Sequence, residues 1–281
     1  MVKKIFAKCY IYFILLLMYV PILVLIVYSF SNASQIGDPL GSFNFDLYAK
    51  LFRNEEIMKA LGNTVILALI SAFVSTVLGT LGAVGTFYCK KKTKAVIENI
   101  NQIPVVNAEI VIALSLTFVF VLLGNVIFRA NIFSFWTLLI GHVVLGAPFV
   151  YLNVKPKLIQ MDPSLYEAGL DLGCSPRQAI GKILLPEILP GVLSGFMIAI
   201  TLSLDDFIVS AFTRGPGLLS GNESIQTLST YIQSVIKKKA VPIELRALTT
   251  LIFICVIVAA LLVTLYQNKQ PNKGKHKKWR N

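Results

Sequence analysis

Met161-Asp162-Pro163-Ser164-Leu165-Tyr166-Glu167-Ala168-Gly169-Leu170-Asp171-Leu172-Gly173-Cys174-Ser175-Pro176-Arg177-Gln178 reads as two helix starts joined by a corner. Asp162 is a capping residue type, and Pro163 follows at the first helical position, where a missing N–H leaves no bond unmade. Gly173 supplies the left-handed conformation that ends a helix. Ser175 starts again at once, with Pro176 next and Gln178 three residues on, which is a capping box. The second helix is expected to run to Leu185 and to stop at Pro186. Helical spacing puts Leu165, Tyr166, Gly169 and Leu172 near one side of the first helix. A short helix with an apolar side needs a surface, either the lipid headgroups or a partner protein.

Outward from this corner, 155–191, the chain is apolar in long runs. Hydrophobic residues make up 56% of its 281 residues, charged residues only 14%, and mean hydropathy is +0.73. A soluble domain carries about 25% charged residues. Composition therefore excludes a disordered chain, a collagen-like fibre and a disulfide scaffold, and points to an integral membrane protein. A hydrocarbon core about 30 Å thick takes roughly 20 apolar residues per helix. Runs that meet this requirement lie at 10–30, 64–89, 104–123, 134–154, 192–212 and 247–266, which predicts an all-α protein with six transmembrane helices. The first run is longer than a signal-peptide core, so it reads as a retained span. Residues 1–266 form the membrane domain, and the basic tail 267–281 is expected to be disordered.

The net charge of +12 flanks the apolar runs rather than forming a nucleic-acid surface. With the N-terminus inside, 17 Lys and Arg fall on the inner side and 9 on the outer side, an N-in/C-in bias. Lys237, Lys238 and Lys239 run against it. The four cysteines, Cys9, Cys89, Cys174 and Cys255, are far apart, with no metal-ligand spacing, and read as buried, inert thiols.

Ionisable groups inside spans mark function or internal pairing. Asp205 and Asp206 lie within the fifth run, each costing roughly 2.5–3.5 kcal/mol at a helix centre. Adjacent residues sit about 100° apart around a helix, so both cannot share one narrow face. Either they pair with another span or they form a weak cation site in an aqueous path. Acidic residues there favour a polyamine or another cation over an anion. Glu109, in the third run, faces the same path, snorkels, or is buried neutral. His142 reads as a hydrogen-bonded packing residue. Gly79, Gly82 and Gly85 suit close helix packing. The loop 31–63 places Phe45, Leu47, Tyr48, Leu51 and Phe52 at the spacing of a short amphipathic helix.

Glu167-Ala168-Gly169, three residues, Gly173, nine residues, then Ile183-x-Leu185-Pro186 resembles the EAA loop of ABC-importer permeases. The family pattern is E-A-A, three residues, G, nine residues, I-x-L-P, and Gly169 stands where it has its second Ala. The stretch 201–210, Thr-Leu-Ser-Leu-Asp-Asp-Phe-Ile-Val-Ser, followed by Gly215-Pro216, is similar to the spermidine and putrescine permeases of that family. The resemblance covers the chain from first span to last, including Pro104 and Ile110-Val111. It implies the type I ABC importer permease fold. It implies coupling to a separate ATPase dimer through Glu167, Ala168, Gly169, Gly173, Ile183, Leu185 and Pro186. It also implies a second, homologous permease subunit and an extracytoplasmic substrate-binding protein. ATP and magnesium belong to the partner ATPase, since no Walker-type phosphate loop occurs here. The substrate path is expected to involve Asp205, Asp206 and Glu109. Another solute, such as a different organic cation, iron or an amino-acid derivative, fits the same frame. A proton-driven secondary transporter is the rival class, disfavoured by the loop spacing and by the lack of a visible internal repeat. The reading is thus of a bacterial cytoplasmic-membrane permease, not an enzyme.

Overall fold

In hydrocarbon every backbone N–H and C=O must be satisfied within the chain, and for these long apolar runs the α-helix does so locally. The computed structural model describes residues 2–31, 33, 38–215, 225–238 and 243–269. In chain order the helices are α1 (Val2–Ser29), α2 (Asp46–Arg53), α3 (Glu55–Phe87), α4 (Lys91–Val106), α5 (Glu109–Leu123), α6 (Phe135–Gln160), α7 (Pro163–Asp171), α8 (Pro176–Ala179), α9 (Leu185–Asp205), α10 (Ile208–Thr213), α11 (Leu228–Lys238) and α12 (Glu244–Lys269). Wider π turns follow α5 (Gly124–Phe128) and α8 (Ile180–Leu184). Among the described residues, five helical stretches are long and apolar enough to cross a membrane: Tyr10–Ser29, Glu55–Phe87, Glu109–Ile127, Phe135–Gln160 and Pro176–Asp205. The sixth predicted span, 247–266, lies on α12.

The chain divides into two units, Met1–Met58 with Lys238–Asn281, and Lys59–Lys237. In the first unit α12 packs on α1 and α2. The expected amphipathic helix is α2, which buries Leu47 and Leu51 and leaves Phe45 and Phe52 exposed. In the second unit α6 is the centre, lying against α9 along its length and also against α4 and α10. Its Val150, Val154 and Leu158 are buried with Leu184, Ile188 and Ala199 from the opposing segment. α3 closes on α6 at Gly79. A Cβ there would stand 2.7 Å from both the Ala147 carbonyl oxygen and Val150 Cβ. Gly82 meets only an ordinary contact and Gly85 meets nothing, so one glycine of the three is required for the approach.

Several boundaries differ from the sequence reading. α3 begins at Glu55 rather than at 64, with Glu55 and Glu56 complementing the positive end of its dipole. The third run is broken at Asn107–Ala108, so Pro104 belongs to α4 and Glu109 opens α5. The helix does not stop at Pro186. The π turn just before it puts Pro186 in the first turn of α9, where its missing N–H is tolerated. The fifth run then ends at Asp205 instead of continuing to 212. α6 is continuous through Pro148 and Pro156. α12 continues to Lys269, so the first three residues of the predicted tail are helical; 270–281, Pro216 and Lys239 lie outside the described residues. Cys89 and Cys174 are free but only half-buried, and the Cys9 and Cys255 side chains lie outside the description.

Candidate functional site

The corner is built by the local chemistry its sequence announces. Asp162 Oδ1 accepts from the Ser164 amide at 3.0 Å, and this bond holds the exposed carboxyl below the usual aspartate range. Gly173 has φ +87°. Its amide donates to Leu170 O at 2.9 Å, and the Cys174 amide donates to Gly169 O at 3.0 Å, the two bonds of a Schellman closure. The Ser175 amide donates to Gln178 Oε1 at 3.0 Å, and the Gln178 amide to Ser175 Oγ at 3.4 Å. α7 then folds back on the π turn. Gly169 is buried against Ile183, and a Cβ at 169 would run into Ile183 Cδ1. Cδ1 is the free end of the Ile183 side chain and can turn aside, so an alanine here, as in the family pattern, would also be accommodated. Glu167, Ala168, Gly173, Leu185 and Pro186 are exposed, and Ile183 is half-buried. Tyr166 rests on Tyr88, with ring centroids 5.5 Å apart.

The three acids of the spans come together in the second unit. The α9 helix breaks at Asp206, and its carboxylate turns onto the next helix. Oδ1 accepts from the Val209 amide at 3.2 Å and Oδ2 from the Ser210 amide at 2.8 Å. The Asp206 carbonyl accepts from Ser229 Oγ at 2.6 Å. Asp206 is thus buried and occupied, whereas Asp205, the last residue of α9, is exposed. The break leaves one carboxyl buried and the other exposed. α5 runs beside α10: Thr117 Oγ1 donates to Phe212 O at 3.1 Å, and Ala113 is buried with Val209. One turn further along, exposed Glu109 reaches the level of the aspartates and lies within electrostatic range of both.

His142 is 2% exposed and fully engaged. Nδ1 lies 2.7 Å from Ser203 Oγ, and Nε2 lies 2.9 Å from Ser210 Oγ and 3.6 Å from Asp206 Oδ2. The hydrogen-bonded packing role read from the sequence is what the residue has, but its partners were not legible. The one available signal was Asp206 itself, a capping residue type placed three residues ahead of the amide it serves. Of the aromatic residues in these spans, Tyr151 is buried with its hydroxyl 3.0 Å from Thr86 Oγ1, while Phe118 and Trp136 are exposed.

Residues 75–270 match the family described as binding-protein-dependent transport system inner membrane component. The chain is 32% identical over 244 residues to the spermidine/putrescine transport system permease protein PotC of Escherichia coli (strain K12), covering 87% of each chain. It is 31% identical over 240 residues to the putrescine transport system permease protein PotI of the same organism, covering 84% of this chain and 81% of that one. Among solved structures, a chain of the bacterial alginate ABC transporter in complex with alginate pentasaccharide-bound periplasmic protein superposes with a TM-score of 0.68. That match covers 94% of this chain and 92% of the other at 20% identity, a likeness of fold.

Proposed function

The chain belongs to the inner-membrane components of binding-protein-dependent transport systems, and from that premise we propose that it is a polyamine permease subunit of a type I ABC importer. It is a transport component of the bacterial cytoplasmic membrane and not an enzyme. The observation that carries the substrate class is the pair of exposed carboxyls, Glu109 and Asp205, within electrostatic range of each other and of the buried Asp206. Such a group offers electrostatic compensation to an organic dication or trication and repels anions. The named functions of the two Escherichia coli relatives support spermidine and putrescine.

In this reading an extracytoplasmic binding protein delivers the polyamine to two permease subunits, this chain and a homologous second one. Six spans with both ends inside are supported by the Lys and Arg bias. Closure of an ATPase dimer is transmitted through α7, α8 and the π turn. Glu167 and Ala168 present the contact surface. Gly173 makes the corner, and Gly169 against Ile183 ties α7 to the segment that leads through Leu185 and Pro186 into α9. Because α9 ends at Asp205, movement of the corner is carried along one helix to the carboxyl that meets the cation. The site is weak by construction, since the ligand must also leave.

The test is uptake of radiolabelled spermidine and putrescine in cells that lack other polyamine import and carry this chain with its three partners. Saturable uptake, competed by unlabelled polyamines and not by amino acids or iron chelates, is expected. Uptake of another solute in place of polyamines would overturn the substrate class.

A further inference from the structure

A helix break inside a membrane segment frees backbone groups that must find partners within the protein. At the α9–α10 break those partners come from several elements. The first amides of α10 go to the Asp206 carboxylate, and the Asp206 carbonyl goes to Ser229 on α11. The remaining member comes from α6. His142 places one ring nitrogen on Ser203, three residues before Asp206, and the other on Ser210, four residues after it. Ser203 is held from the opposite side by Ser71 of α3, with the two hydroxyls 3.0 Å apart. A neutral imidazole has one donor and one acceptor. Here both are used, one on each flank of the break, in a site with no exposed surface. An apolar side chain of similar volume would fill the space and leave the flanks untied.

We propose that His142 is the positioning residue of the cation path: through Ser203 it ties the last turn of α9, which carries Asp205, to α6, and through Ser210 it holds the helix beyond the break to the same point. The inference rests on the reading that Asp205 faces the polyamine. Without the bridge, the helix can continue through Asp206. That continuation would return Asp206 to a position about 100° from Asp205 around the same helix, and the last turn of α9, which carries Asp205, would be free to shift against Glu109. His142 touches no substrate in this scheme; it acts through Asp205.

The experiment is a double-mutant cycle on the complete complex in proteoliposomes, read as spermidine transported per ATP hydrolysed. A role confined to folding changes the yield of complex and leaves that ratio alone. His142→Ala is expected to lower the ratio about ten-fold, the scale of one to two lost buried hydrogen bonds. His142→Gln, whose amide offers one donor and one acceptor, should recover about half or more of the loss. In an Asp205→Asn background, His142→Ala should add less than about two-fold, because coupled residues are not additive. Multiplying losses in the double variant, or an unchanged ratio in His142→Ala, would overturn the proposal while leaving the path reading in place. An Asp205→Asn variant with unimpaired transport would remove the path reading, and the proposal with it. Should His142→Ala fail to assemble, Ser203→Ala takes its place in the same cycle with the same expectations.

Discussion

Replacing Gly173 by alanine isolates one physical quantity at the corner. Gly173 sits at φ +87°, and a Cβ built there meets nothing within 4 Å, so the substitution adds no clash with neighbouring atoms. The cost is that of a side chain in the left-handed region, about 1–2 kcal/mol for an L-residue. Part of it is offset by the unfolded chain's loss of freedom, about 0.4–1 kcal/mol. A net cost near 1 kcal/mol shifts the population of the folded corner by about five-fold. The two closing bonds, Gly173 N–H to Leu170 O and Cys174 N–H to Gly169 O, depend on that conformation. Asparagine tolerates the left-handed region and should be nearly silent. In the reconstituted complex, Gly173→Ala is expected to lower stimulation of the ATPase by loaded binding protein several-fold, with normal assembly, and Gly173→Asn to retain most of it. Equal behaviour of the two variants, whether both active or both dead, would refute the conformational argument.

Asp205→Asn should cut polyamine flux while the complex assembles normally, whereas Asp206→Ala leaves two buried amides unpaired, about 1–3 kcal/mol each, and should reduce assembled complex on size-exclusion chromatography. Gly79→Ala forces a Cβ against the Ala147 carbonyl and Val150 and should destabilise the purified complex by about 1–3 kcal/mol in thermal unfolding, with Gly85→Ala as a neutral control. The Asp162 carboxyl is depressed in the folded state by its bond from Ser164, so its capping contribution is complete above its ordinary value of 3.8 and is lost only as pH falls through the lower folded value. Coupling measured between pH 6 and 8 should therefore not vary through this group, while Asp162→Ala weakens coupling and Asp162→Asn, also a good cap, preserves it.

The corner was legible because its determinants are local. Asp162, Gly173 and Ser175 each act on amides or carbonyls within five residues, and each makes the bond its type predicts. The existence of the apolar helices was legible for the same reason. Their ends were not. Pro186 reads as a stop until the π turn before it is known, and nothing in the residues 180–184 announces that turn. The partners of Asp206 at the break are His142, which is 64 positions away in sequence, and Ser229, which is 23 away. Spacing alone placed both aspartates in one continuous helix. Only the tertiary partners separate them, one carboxyl buried as a cap and the other exposed at the end of α9.

The most direct test of the account is ATP-dependent spermidine uptake into proteoliposomes holding this chain, its second permease and the ATPase, with loaded binding protein on the side corresponding to the cell exterior. The account predicts uptake with a competent ATPase and none with a catalytically dead one that still binds. Uptake that persists with the dead ATPase and collapses with a protonophore would contradict it and point to a proton-driven carrier.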